Sequence, residues 1–365
     1  MSDDLRGSGA PRGTGDDFGA WFDREFDVVV DAAAVDDAAP VGAADGEAGE
    51  AGVAEVAPST GEATPPADGA SSGVAARAAR RVVRRPLAWW NRPWTPQRVV
   101  QVLVTTSVLV ASTVVMMLVV HLNPLSPSSD LVFDRTTPTG GDMGAHVWAP
   151  AFLRDHFLPN FQLSGWSMDW YGGIPLYRFY MVIPALAIVA LDVVLPYGVA
   201  FKVIAVSGLV TFPLACWAFG RLAAFRHPIP ELFAVASLCF LLDESFSIYG
   251  GNVKSTMAGE YSFSISLTLA ILGLGLLAHG LRTGRFRVWA AVVLSLSAVS
   301  HGIVLIFVAV GATILCLVWM DRRRLVYAVT TGVTVLLLSA WWVGPFLFGH
   351  EFMTDMKYGF RPEGA

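Results

Sequence analysis

The chain has 365 residues, of which 54% are hydrophobic and only 15% charged, whereas a soluble domain of this size carries about a quarter charged residues. The charges are also segregated: residues 1–76 hold 16 Asp/Glu and 3 Arg, a net of −13, while the remainder holds 22 Lys/Arg and 14 Asp/Glu, a net of +8. A single soluble globule is excluded, and the overall charge of −5 describes the N-terminal end rather than the body.

Residues 1–76 read as a disordered acidic cytoplasmic tail. From 36 to 76 the chain is built from Ala, Gly, Glu, Asp, Pro, Ser, Thr and Val without an aromatic residue, too little apolar surface to offset the entropy of ordering. Phe18 to Val35, with aromatics among acids, reads either as a docking motif or as an unstructured acidic–aromatic stretch. No cleavable signal peptide is evident, because the start is acidic and lacks an apolar core.

The sign reverses in a basic juxtamembrane segment at 77–98, which carries seven Arg and Trp89, Trp90 and Trp94. Basic residues beside a first span hold that flank in the cytoplasm, and Trp suits the headgroup layer. The adjoining span argues against nucleic acid as the partner of these arginines; membrane lipids are the expected partner. Residues 99–365 then form a multi-span membrane domain with an outer loop at 121–175.

Val99 to Val120 gives twenty-two residues without a charge, enough to cross a core of roughly 30 Å. Further apolar runs lie at 176–196, 198–220, 229–249, 261–281, 288–320 and 325–348. Arg221 and Arg226, then Arg282, Arg285 and Arg287, then Arg322 to Arg324 mark three basic flanks. Placing all three in the cytoplasm leaves the stretch from 176 to 221 too short for three crossings of about 20 residues each. Residues 176–196, with Pro184, Asp192 and Pro196, are therefore expected to be re-entrant or to lie on the membrane surface. Both ends of 288–320 are basic, so this run is expected to cross twice and turn near Ser300-His301-Gly302; the competing reading is one tilted helix of 33 residues that puts Arg322–Arg324 outside. The expected fold class is all-α: a polytopic transmembrane helical bundle with the N-terminus cytoplasmic.

Three polar clusters fall on the expected outer face. In Thr139-Gly-Gly-Asp142-Met-Gly-Ala-His146, Asp142 and His146 stand four apart and share one helical face. Asp142 reads either as a general base or metal ligand, or as the N-cap of a helix beginning at Met143. The second cluster carries Asp243, Glu244, Lys254 and Glu260 between two spans. Asp243 and Glu244 are expected near membrane depth, where acids are functional candidates, or in an ion pair with Lys254; Glu260 also suits a helix N-terminus. The third comprises His301 at the expected turn, the interfacial Trp341 and Trp342, Glu351 and Asp355. Cys216, Cys239 and Cys316 are isolated in apolar runs and read as buried hydrophobes. No Walker motif, GxSxG, HExxH or CxxC is present, so the common hydrolytic and ATP-driven chemistries lack their marks.

The order of segments carries a resemblance. GGDMGAHVWAP follows the first span, then GWSMDWYGGIPLYRFYMVIPAL, GRLAAFR, DESFSIYGGNVKSTMAGEYSFSISL, SHG, WWVGPF and TDMKYGF. Over roughly residues 96–360 this resembles bacterial membrane proteins with a GT-C glycosyltransferase-like fold, among them a group labelled "6-pyruvoyl-tetrahydropterin synthase-related" membrane domain, a label that implies no pterin chemistry. The resemblance implies transfer of a sugar from a polyprenyl-phosphate donor to a cell-envelope acceptor on the extracytoplasmic face. By position it gives the essential acid of the first outer loop to Asp142. It gives binding of donor phosphate, divalent cation (Mg or Mn) or acceptor to the neighbourhood of His146, Asp243, Glu244, Lys254, Glu260 and His301. Members of the group usually continue into further spans, whereas this sequence stops at Ala365. The competing classes are a transporter or lipid-linked-glycan flippase, which would place ionisable residues near the midplane and repeat its hydropathy, and a non-catalytic scaffold recruiting partners through its tail.

Overall fold

In a computed structural model, residues 94–170, 172–178, 181–319, 321–349 and 351 are described. The acidic tail 1–76, the basic segment as far as Pro93, and Asp355 lie outside the described residues.

From Pro96 onward the chain is mostly helical: α1 (Pro96–Val119), α2 (Met143–Phe152), α3 (Val182–Asp192), α4 (Tyr197–Leu222), α5 (Ile229–Leu241), α6 (Tyr261–Thr283), α7 (Arg287–Ser300), α8 (Val304–Val318) and α9 (Arg322–Phe348). Among the described residues, four helices are long and apolar enough to cross a membrane: α1, α4, α6 with the turns that lead into it from Val253, and α9. Their sequences explain their ends. Asp321 caps α9, its carboxylate accepting from the Arg324 amide at 2.8 Å. Gly284 ends α6 with φ +77, the left-handed conformation that lets its amide reach back to Gly280 at 2.7 Å.

The centre of the bundle is the parallel pair α4 and α6. Phe201 meets Tyr261 at one end, with ring centroids 5.4 Å apart, and the Leu222 carbonyl accepts from Arg282 at 3.5 Å at the other. Small residues let the backbones close in: an added Cβ on Gly208 would stand 2.5 Å from the Ile265 nitrogen. Close approach of this kind is how apolar helices associate where burial alone gives no driving force. Helix α7 runs back along α6, with Ser266 and Ser297 each donating to the other's carbonyl at 2.7 and 2.9 Å. Helix α8 then returns alongside α6, from Phe307 against Phe263 to Trp319 against the Leu277–Leu281 cluster. Helix α9 descends again, from Tyr327 over Gly280 to Trp342 over Gly302.

Residues 288–320 thus fold as two opposed helices broken at His301, the turn expected from the basic flanks. Helix α3 has 11 residues and reaches roughly 16 Å, about half a hydrocarbon core. Ile188 packs on Phe201 and Ala205 in the first turns of α4, while Val182 and Ala185 pack with Val299 and Trp342. It sits at one end of the bundle.

Two features qualify the helical bundle. The fold is not purely helical, because Gly165–Ser167 (β1) and Ile174–Leu176 (β2) pair as a short antiparallel hairpin. The apolar run 229–249 does not continue as one helix either. It stops at Leu241, because Asp243 and the left-handed Gly250 and Gly251 turn the chain into a loop held by the buried Asn252, whose amide donates to the carbonyls of Asp243 and Phe246 at 2.6 and 2.9 Å.

The packing partners fix which residues share an end of the bundle. Arg221, Arg226, Arg282, Arg285, Arg287 and Arg322–Arg324 gather at the end where α4 and α6 finish. Asp130, Asp142, Asp192, Asp243, Glu244 and Glu260 gather at the opposite end. The bundle is chemically polar along its axis.

Candidate functional site

The acidic end is assembled around a close backbone contact. The loop Gly140–Asp142 lies against the π-turn Thr256–Glu260 that precedes α6, and the Asp142 amide donates to the Ala258 carbonyl at 2.8 Å. Two glycines permit it. An added Cβ would stand 2.1 Å from the Ala258 oxygen at Gly141 (φ +51), and 2.8 Å from the Asp142 Cβ at Gly259 (φ +133).

Asp142 occupies the N-cap position of α2, yet its side chain makes no capping hydrogen bond, and it is exposed. The carboxylate is therefore not used to close the helix. One turn on, His146 packs edge-on against Tyr261 at 5.4 Å. Burial holds its imidazole below the usual histidine range, the charges of Asp142 and Glu260 oppose that shift, and His301 adds to it. An imidazole so placed is neutral at pH 7, and a neutral ring nitrogen accepts protons and hydrogen bonds. Glu260 stands at the N-cap of α6 without a side-chain capping bond. Its Oε2 lies 3.4 Å from Nε2 of His301, and His301, at the α7–α8 break, is 4% exposed. Asp142 and His146 from one stretch, Glu260 from a second and His301 from a third therefore share one neighbourhood, close enough for the other three to act on the His146 imidazole.

Asp243, Glu244 and Lys254 form a separate arrangement at the same end. Lys254 pairs with Glu244 at 2.9 Å, and the Glu244 side chain is 77% exposed, so the ion pair expected with Lys254 is present at the protein surface. Backbone and side-chain hydrogen bonds from Ser245 hold the Asp243 carboxyl below the usual range. Trp342 is buried in the cluster beneath the hairpin, whereas Trp341 is exposed, so the two are not one interfacial pair. Glu351 is exposed.

A cavity of about 590 Å³ flanks the group. Phe212 of α4, Phe233 and Phe240 of α5, Phe263 and Leu267 of α6, and Phe307 of α8 line it. Phe240 and Phe307 are exposed, so it opens sideways between α5 and α8. Phe263 joins cavity and polar group, its ring 5.2 Å from that of His301. Sequence reading missed this cavity, because its walls look like ordinary apolar helix faces until four helices meet.

It also missed Glu231 in the first turn of α5. The carboxylate is 4% exposed, accepts from Thr105 of α1 at 2.5 Å, and pairs with Nδ1 of His227 at 3.2 Å. An acid inside an apolar run was the available signal.

Among the described residues, no three His, Cys, Asp or Glu side chains converge closely enough to hold a metal ion. The described arrangement does not fit the divalent cation that the resemblance implies.

No family model matches the chain, and neither a curated protein nor a solved structure is similar enough to be matched with it.

Proposed function

We propose that this chain is a GT-C-like glycosyltransferase that takes a sugar from a polyprenyl-phosphate donor and transfers it to a cell-envelope glycan or glycolipid on the extracytoplasmic face. The observation that supports this most is the junction of an uncapped carboxylate, a neutral imidazole and the Glu260–His301 pair with an apolar cavity open to the lipid side. A donor with a hydrocarbon tail and a phosphate-linked head needs both halves in contact. The acidic end then faces outward, and the Arg-rich end faces the cytoplasm.

In the proposed reaction the acceptor hydroxyl gives its proton to the Asp142 carboxylate. The acceptor oxygen attacks the anomeric carbon, and the bond from that carbon to the phosphate oxygen breaks, so polyprenyl phosphate leaves with the electron pair. His146 accepts a hydrogen bond from the acceptor and orients it. Lys254, at the same end, supplies positive charge toward the departing phosphate.

Membranes incubated with labelled polyprenyl-phosphate sugars test this. Wild-type protein is expected to transfer label, and Asp142→Asn to lose about 10²- to 10⁴-fold, the contribution of a positioned base. Transfer unchanged by Asp142→Asn removes the mechanism. Absence of transfer from every donor by wild-type protein removes the enzyme reading.

A second reading, a transporter or lipid flippase, draws on one observation: Glu231 is a buried acid between α1 and α5, touching Thr105 and His227 away from the acidic end, and buried acids in a membrane bundle are functional candidates. Substrate movement across sealed vesicles that is abolished by Glu231→Gln and not by Asp142→Asn distinguishes it.

A further inference from the structure

Phe157 to Met168 runs twelve residues without a charge, although it lies beyond the helices at the acidic end. Phe157 anchors it in the core at 5% exposure, whereas beyond it the apolar side chains are open: Phe161 is 100% exposed, Trp166 62% and Met168 67%. The exposure is built in. Gly165 is stacked on the Phe157 ring, where an added Cβ would be 2.9 Å from Cε1, and the Trp166 indole lies over Gly173, where one would be 2.4 Å from Cζ2. The indole N–H is turned toward the Met168 sulfur at 3.1 Å. A ring held this way cannot fold back into the core.

A second apolar point stands beside the first. Val193 and Val194, after α3, are 82% and 75% exposed. The ion pair of Arg154 with Asp192 at 2.6 Å fastens their turn to the segment leading into the hairpin.

The hairpin also reaches α9, one of the helices long and apolar enough to cross a membrane. Leu176 and Tyr177, at the end of β2, pack on Trp342, and the neighbouring Trp341, Leu337 and Phe348 are all exposed. In water, a patch of this kind is a liability that monomeric proteins avoid. At the boundary between headgroups and acyl chains, it is favourable, and Trp is the residue that this layer prefers.

We infer that the tip of the β1–β2 hairpin, with Val193 and Val194, seats in the interfacial layer of the same bilayer that α9 crosses, and so fixes the height of the Asp142–His301 group at the headgroups. The partner is the lipid surface itself. The inference requires a membrane-spanning α9 and not the transfer reaction.

The test places an environment-sensitive fluorophore at Phe161→Cys, Met168→Cys and, as a water-exposed reference, Ser247→Cys, with the three native cysteines replaced. The full chain is reconstituted in nanodiscs of phosphatidylethanolamine and phosphatidylglycerol. Positions 161 and 168 are expected to emit at shorter wavelength than 247, to be quenched several-fold more by nitroxide lipids labelled near the headgroup, and to be protected from aqueous iodide. Emission and iodide quenching equal to those at 247 overturn the inference. So does protection from iodide without nitroxide quenching, which means burial against protein, or an emission change driven by added soluble oligosaccharide, which makes the indole a sugar platform.

Discussion

The backbone amide of Asp142 donates to the carbonyl of Ala258 at 2.8 Å, so the first polar loop is anchored to the π-turn ahead of α6 through main chain alone. The side chain of Asp142 plays no part in holding its own loop. A main-chain anchor leaves the carboxylate available for chemistry and makes the position of that carboxylate depend on what the neighbouring glycines allow.

Gly259→Ala is therefore expected to damage both stability and activity. Its φ of +133 disfavours any side chain, and the new methyl would meet the Asp142 Cβ at 2.8 Å. Strain of this kind costs roughly 1–3 kcal/mol, and relief requires the Asp142 loop to move. Gly144→Ala is the matched control: the site is the second residue of α2, with nothing within 4 Å, so a methyl there meets no neighbour and lowers the entropy lost on folding. Thermal unfolding in detergent should lower the midpoint for Gly259→Ala and hold or raise it for Gly144→Ala. Equal midpoints would show that the contact is not tight.

Stability should also carry a pH signature from His146. Burial lowers its pKa in the folded protein below the ordinary value of 6.5. As pH falls through about 6.5, the unfolded chain takes up a proton that the folded chain refuses, so stability declines with falling pH until the depressed native pKa is passed. The contribution is present in full above about 6.5 and is lost across the window below it. Unfolding midpoints measured from about pH 7.5 to about pH 5.5 should fall more steeply for wild type than for His146→Gln. Identical slopes would mean that the imidazole is solvated.

Much of the fold is legible in the sequence where one residue pattern has only one outcome. Charge-free runs such as 99–120 and 325–348 appear as helices long and apolar enough to cross a membrane, and the arginines on both sides of 288–320 imply the break that the structure places at His301. The hairpin at 165–176 is not legible, since three-residue strands leave no periodic signal. The site is legible by halves. Asp142 and His146 share a face through local spacing, whereas the pairing of Glu260 with His301, and the approach of both to His146, depend on how α6 and α7 pack. Glu231 was overlooked for a related reason: its partner Thr105 lies on α1, and nothing local announces a contact between distant helices.

Orientation in the membrane follows from the axial separation of charge. The end that carries Arg226, Arg285 and Arg322–Arg324 is expected in the cytoplasm, because short loops rich in arginine are retained there, and the end that carries Asp142 and Glu244 is then outside. Single cysteines in a background without Cys216, Cys239 and Cys316 report this directly. Ala224 and Ser247 are exposed and stand at opposite ends of the bundle, Ala224 just after α4 and Ser247 just after α5. In sealed right-side-out vesicles, a membrane-impermeant maleimide should modify Ser247→Cys at once and Ala224→Cys only after the membrane is opened. The reverse pattern would put the candidate site on the cytoplasmic side, out of reach of an extracytoplasmic acceptor, and the proposed transfer would fail with it.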